Sequence, residues 1–240
     1  MATKPAESVF SIQRANQRFF GDHGWLKTYH SLSFAEYYDP QNVQWGALRV
    51  FNDDYVAGGS GFPPHPHRDM EIVTYVLEGE LRHEDSMGNR GVVGPGGVQF
   101  MSAGTGVRHS EFNNQPDETL HFLQMWVLPG KIGVPPSYGQ RDFSREDRTG
   151  RWLAVASGEP DVEAKIALTQ DATLRVSRLE SSTLTHDFAP QRYGFVFCAG
   201  GEVRVQSETL RQGDAARLYD VASLEVSGNG EIVFWDCASA

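Results

Sequence analysis

The chain has 240 residues, 40% of them hydrophobic, with 25 glycines and 12 prolines, which is the composition of a turn-rich folded protein and not of a disordered one. A formal net charge of −10 argues against an extended basic face for direct nucleic-acid binding, because phosphate contacts need clustered Lys and Arg. No run of ~18 apolar residues occurs and Met1 to Glu7 holds no apolar signal region, so the expectation is a cytoplasmic protein without a membrane partner.

In chain order, Val9-Phe10-Ser11-Ile12 alternates like a strand, and the polar and aromatic stretch from Arg14 to Tyr29 reads as loop. His23 and His30 have no neighbour at ligand spacing and are expected to serve structural hydrogen bonds. Trp45 to Phe51 is predicted as a strand, and Asn52-Asp53-Asp54 as a turn. The chain then enters Gly61-Phe62-Pro63-Pro64-His65-Pro66-His67, where three prolines stiffen the backbone around two histidines. Pro66 lacks an N–H, which places this segment at a sheet edge or a barrel rim.

Met70 to Leu77 is a β-branched and aromatic strand. Turns follow at Glu78-Gly79, at Ser86-Met87-Gly88-Asn89 and at Gly94-Pro95-Gly96-Gly97. Gly106-Val107-Arg108-His109-Ser110-Glu111-Phe112-Asn113 then supplies a second polar pair. In an extended strand alternate side chains share a face, so His65 and His67 point the same way, as do His109 and Glu111. One His-x-His on a strand is more often a polar face than a ligand pair. Two such pairs, separated by hairpin sequence, predict a site of three imidazoles and one carboxylate, a donor set suited to iron, nickel, copper, manganese or zinc rather than to calcium or magnesium.

Leu120 to Leu128 is a further strand, in which His121 is expected to be a core or supporting histidine rather than a fifth ligand. The prolines and glycine of Pro129-Gly130 and Pro135-Pro136 mark a boundary, giving an N-terminal metal-binding domain over 1–130 and a C-terminal domain over 131–240. Charged residues from Arg141 to Arg151 read as a solvated linker. Beyond it, short strands are predicted at Trp152 to Ala156, Ala164 to Leu168, Leu174 to Leu179, Tyr193 to Phe197, Gly201 to Val205 and Ile232 to Trp235. Turns are predicted at Ala199-Gly200-Gly201, Arg211 to Asp214 and Ser227-Gly228-Asn229-Gly230. This half contains one histidine, His186, too few for a second site of the same kind. Cys198 and Cys237 sit in apolar runs and read as reduced core residues.

Gly59, His65-x-His67, Glu71 and Gly79 resemble the first cupin motif, and Gly106, His109 and Asn113 the second. The fuller phrases His65-Pro66-His67-Arg68, Asp85-Ser86-Met87-Gly88-Asn89 and Met101-Ser102-Ala103-Gly104-Thr105-Gly106 resemble the pirin family, as do His23-Gly24-Trp25 and Tyr37-Tyr38-Asp39-Pro40. The resemblance covers roughly the first half of the chain. Gly104, where the general cupin pattern has proline, and the longer Glu71–Gly79 spacing follow the pirin branch.

That resemblance implies an all-β bicupin, two small antiparallel β-barrels of jelly-roll type of which only the first holds metal. It implies metal ligation by His65, His67, His109 and Glu111, with Glu71 a competing or supporting carboxylate. The cofactor would be one divalent transition metal, iron(II) first, with nickel, copper, manganese, cobalt or zinc as alternatives. The implied activity is that of a quercetin 2,3-dioxygenase, with a small aromatic flavonol and O2 as partners. In that implied reaction Glu111 would take the proton of the flavonol's 3-hydroxyl, the bound metal would supply a site for the resulting oxyanion, and O2 would open the central ring with loss of carbon monoxide. The other reading is a redox-sensitive, metal-dependent regulator that binds a protein partner without catalysis.

Overall fold

The computed structural model describes residues 7–240, so the reading of the first six residues lies outside the described part. The strands are β1 Val9–Gln13, β2 Phe19–Asp22, β3 Leu26–His30, β4 Leu48–Val56, β5 Gly61–His67, β6 Glu71–Glu78, β7 Leu81–Asp85, β8 Arg90–Val93, β9 Val98–Ser102, β10 Val107–Asn113, β11 Leu120–Val127 and β12 Ser137–Arg141. The short helix α1 Arg145–Arg148 follows. Then come β13 Leu153–Ser157, β14 Ile166–Ala167, β15 Ala172–Asp187, β16 Tyr193–Val205, β17 Glu208–Arg211, β18 Ala215–Tyr219 and β19 Ser223–Cys237. The all-β expectation holds, and among the described residues no helix is long and apolar enough to cross a membrane.

The chain parts into two compact units, neither of them one continuous segment. One consists of Phe19–Tyr37 and Arg49–Phe143, and the other of the residues up to Arg18, Tyr38–Leu48 and Ser144–Ala240.

In the first unit a seven-stranded sheet, ordered β12-β9-β6-β11-β4-β3-β2, accompanies a four-stranded one, ordered β5-β10-β7-β8. β6 is central in the larger sheet and its first six residues are all buried, which explains why its β-branched run shows no clean alternation. Ile72, Met101, Ala103 and Val107 form one apolar cluster, and Leu26, Val56, Val76, Leu81, Val93, Leu120 and Phe122 another. The proline-rich β5 lies at an edge of the smaller sheet, where Pro66 leaves no ladder bond unmade in a central position. The loop expected over Arg14 to Tyr29 is instead a 3-10 turn followed by β2 and most of β3. Likewise Asn52 to Asp54 continues β4 rather than turning, because β3 pairs with it through His30↔Asn52 and Thr28↔Asp54. Pairing across the sheet overrides the local turn preference of Asn and Asp.

The second unit is one sheet, ordered β1-β18-β16-β19-β15-β13-β14, with β17 on β16. Both halves of its long strands feed one core, which contains Leu179 and Leu224, Val196 and Val205, Ile232 and Val226, so the sheet folds over on itself. Phe195, Phe197 and Trp235 are buried in this unit, while Trp152 is half-buried against the core. The glycine-rich segments expected as turns run through as strand, with Gly200 opposite Glu231, Gly201 opposite Gly230 and Val203 opposite Gly228. A Cβ on Gly201 would stand 2.4 Å from the Asn229 carbonyl oxygen, so these glycines allow close backbone approach beside the bulge at Cys198/Gly200. The expected linker is also ordered: Ser144 caps α1 by accepting from the Asp147 N–H, and the buried Arg148 pairs with Glu231 at 2.5 Å. Arg192 is held by Asp236 at 2.6 Å and by Asp171 at 2.6 Å, and Asp236 accepts from His186 at 2.7 Å. His186 is therefore bound into an ion-pair network.

Candidate metal centre

β5 and β10 are hydrogen-bonded antiparallel neighbours, with His65 directly opposite His109 and His67 opposite Val107. On its other side β10 pairs with β7, setting His109 opposite Asp85 and Glu111 opposite His83. Directly opposed residues share a face, so this register collects His65, His109, Glu111, His83 and Asp85 on one side of the sheet, with His67 beside them. The ligand atoms of His65, His67 and His109 lie within 4.8 Å of one another, and so do those of His83, His109 and Glu111. All four residues singled out in the sequence are therefore close together, although Glu111 groups with His83 and His109 rather than with the His65–His67 pair. Glu71 belongs to neither group. It is buried in the other sheet, opposite Ser102 and Val127.

Hydrogen bonds decide which ring nitrogen each histidine offers. The Pro63 carbonyl can only accept, so His65 donates Nδ1–H to it at 2.8 Å and keeps the Nε2 lone pair. His109 is set by a chain of three residues. Burial would raise the Asp85 carboxyl, but bonds from Asn89, His83 and Met87 hold it below its ordinary range. A carboxylate accepts only, so His83 carries its proton on Nε2, 3.3 Å from Asp85 Oδ2. The lone pair on His83 Nδ1 then faces His109 Nδ1–H at 3.4 Å. His109 Nε2 is left buried with no hydrogen-bond partner. An orphaned, aprotic imidazole nitrogen beside two other imidazoles is what a bound metal ion would satisfy, so the residues fit the implied metal. His83 has spent both nitrogens on this chain, which leaves it a supporting role.

Electrostatics point the same way. Burial, together with the neighbouring His109 and His65, lowers His67 to about 4, and burial with His65 and His83 lowers His109 to about 3. Both rings are neutral, the form that coordinates, over the whole physiological range.

Glu111 is almost fully buried and receives two side-chain amides, Gln99 Nε2 on Oε1 at 2.6 Å and Gln124 Nε2 on Oε2 at 2.9 Å. Gln124 is in turn fixed by Thr74 Oγ1 at 2.7 Å. Gln99, Thr74 and Gln124 stand side by side on β9, β6 and β11, since Thr74 is opposite both of the others. A polar row of the larger sheet thus orients the carboxylate of the smaller one. Tyr138 on β12 stacks on His83 at 4.3 Å, and Gly91 is open enough for Tyr138 and Gln140 to approach: a Cβ there would meet Gln140 Oε1 at 1.9 Å. His83, Asp85, Gln99 and Gln124 were not singled out in the sequence. The signals were present as His83-x-Asp85, a third i, i+2 pair, and as lone glutamines inside apolar strands.

A cavity of about 500 Å³ opens beside the cluster. His65, His67 and Glu111 line it together with Phe34, Phe62 and Trp126, and Trp126 meets His67 edge-on at 4.8 Å. The cavity also takes in His23, His30, Asn52 and Asp54. His121 is excluded from the cluster: it bonds Asp53 at 2.6 Å and stacks on Tyr55 at 3.9 Å.

Against known proteins, the family described as Pirin matches residues 12–127, and the quercetinase C-terminal cupin domain matches residues 154–234. The chain is 44% identical to a putative quercetin 2,3-dioxygenase of Zymomonas mobilis over 217 residues, covering 89% of this chain and 92% of that protein. It is 39% identical to the quercetin 2,3-dioxygenase of Escherichia coli K12 over 228 residues, covering 94% and 97%. Among solved structures, the bacterial pirin YhhW of Escherichia coli in complex with nickel(II) superposes with a TM-score of 0.90 at 36% identity, covering 97% of this chain and all of that one.

Proposed function

The chain belongs to the pirin family, with two cupin units, and from that premise we propose that it is a metal-dependent dioxygenase cleaving a flavonol of the quercetin type with O2. On this proposal the metal function belongs to the unit of Phe19–Tyr37 and Arg49–Phe143, and the other is a cupin-like unit whose described residues gather no metal-ligand group. The observation that carries the reading is the unpartnered Nε2 of buried His109 beside His65 and His67, two residues that line a cavity large enough for a three-ring aromatic.

His65, His67, His109 and Glu111 would hold one divalent ion, with iron(II) the first choice and nickel(II) the ion carried by the YhhW relative. When bound, such an ion supplies an electrophilic site for the flavonol oxygen and redox chemistry toward O2. The chain's own residues do the rest. The Glu111 carboxylate, its plane set by Gln99 and Gln124, takes the proton of the flavonol 3-hydroxyl, a general-base step that requires only hydrogen-bond reach. Phe34, Phe62 and Trp126 give the cavity flat apolar walls that accept a planar ring system and keep water from it.

Elemental analysis is expected to give one metal per chain, and metal-loaded protein is expected to consume O2 with quercetin. His65→Ala should lose metal and activity together. Glu111→Gln keeps the shape but removes the base, and turnover should fall by about a hundredfold or more. Absence of O2 uptake with quercetin for every candidate metal, or wild-type turnover in metal-loaded Glu111→Gln, overturns the proposal.

A further inference from the structure

The cavity has a second polar wall that the proposed chemistry leaves unused. β3 and β4 are antiparallel neighbours, and their register sets His30 opposite Asn52 and Thr28 opposite Asp54. Opposed and alternate residues share a face, so these four side chains form one array. All four line the cavity, while Asp53 on the other face of β4 turns away to His121. In the larger sheet β4 lies next to β11, so the array continues the Gln99–Thr74–Gln124 row that holds Glu111.

All four of these residues are buried yet leave polar atoms without partners. Asn52 and Asp54 are each 3% exposed and His30 is 4% exposed. The acceptors Asn52 Oδ1, Asp54 Oδ1 and His30 Nδ1 have no hydrogen-bond partner, nor has the Thr28 hydroxyl oxygen. His30 already bonds the Phe34 backbone, which leaves Nδ1 as a lone-pair acceptor. A fold does not ordinarily bury three unmatched acceptors on one wall. Burial pushes the Asp54 carboxyl up to about 7, and the Thr28 hydroxyl beside it pulls the other way without offsetting the burial.

We propose that His30, Asn52 and Asp54 form a recognition subsite that accepts hydrogen bonds from hydroxyl groups of the substrate, so that the substrate class is a polyhydroxylated planar aromatic rather than a bare one. The inference rests on the flavonol reading for the identity of the aromatic, and on the three acceptors for its hydroxyls. A site built to pair a hydroxyl rejects the analogue lacking it, because the acceptors then stay buried and unmatched. The apolar walls Phe34, Phe62 and Trp126 bind either ring system and supply no such discrimination.

The test is an anaerobic titration of nickel-loaded protein with quercetin and with 3-hydroxyflavone, which keeps the metal-binding hydroxyl and lacks the others, read by quenching of tryptophan fluorescence. Wild type should bind quercetin about tenfold tighter or more. Asn52→Leu and Asp54→Asn should each bring the two affinities to within about threefold while leaving that for 3-hydroxyflavone in place. Equal affinities in the wild type, binding of neither compound, or an intact preference in both variants overturns the subsite. If a variant does not fold, the wild-type comparison alone decides. Oxygen uptake separates the two proposals: preference without turnover keeps the subsite and discards the oxygenase, and turnover of both compounds at equal KM does the reverse.

Discussion

His83 shows how a residue without a ligand's role sets one up. Its two nitrogens connect Asp85 to His109, and the tautomer they impose leaves the His109 lone pair on Nε2. Asp85→Asn puts an amide where the carboxylate was. The amide can present N–H to His83, after which nothing selects the tautomer, and metal affinity should fall by about 10- to 100-fold. Competition against a chelator measures this, and unchanged affinity would mean that packing alone orients His109. Both i, i+2 pairs were legible in the sequence because strand parity is local. His83 was not, since its relation to His109 depends on which strand lies beside β10.

At the scale of elements, the site depends on how closely β5 approaches β10. Gly61 lies opposite Phe112, and a Cβ there would stand 2.3 Å from the Glu111 carbonyl oxygen and 2.5 Å from Phe112 Cα. Both are backbone atoms that cannot rotate away. Gly61→Ala should therefore push the edge strand outward, costing about 1–3 kcal/mol of stability and separating His65 from His109. Urea denaturation and metal titration together test it: wild-type values of both would show that the edge yields without strain. The segment pairs Gly200–Gly201 and Gly228–Gly230 teach the complementary lesson. Glycine marks a turn and a close strand crossing alike, and only the partner strand tells them apart.

For the whole molecule, the buried histidines predict a stability that depends on pH in a definite direction. In metal-free protein His30 and His67 titrate at about 4 and His109 at about 3, against ~6.5 in the unfolded chain. Between those values the unfolded chain holds protons that the folded one does not, so stability falls as pH drops below ~6.5. Asp54 opposes them: folded, it titrates at about 7, so it binds a proton that the unfolded carboxylate takes up only near 3.9, and its contribution grows as pH falls. Three sites outweigh one. The melting temperature of metal-free protein should drop from pH 7 to pH 5, and Asp54→Asn, which removes the opposing site, should make the drop steeper. A flat profile would contradict the buried neutral state of the three rings.

Sequence alone determined the family and fold class of the protein and which polar pairs of its first half share a strand face. Short β-branched and aromatic runs between turn signals read as strands, the resemblance to the pirin family implied an all-β chain, and the spacing within His65-x-His67 and His109-x-Glu111 placed each pair on one face, because strand parity depends only on neighbours in the chain. Tertiary structure decided the rest. Which strands are adjacent fixed the roles of His83, Gln99 and Gln124, carried β4 through Asn52 to Asp54, and turned His30 from an expected structural residue into part of a cavity wall. It also assembled each compact unit from separated segments of the chain. The physical reason is common to all of these: a strand's hydrogen bonds are made to another strand, so its register, its neighbours and the face it buries are properties of the pair.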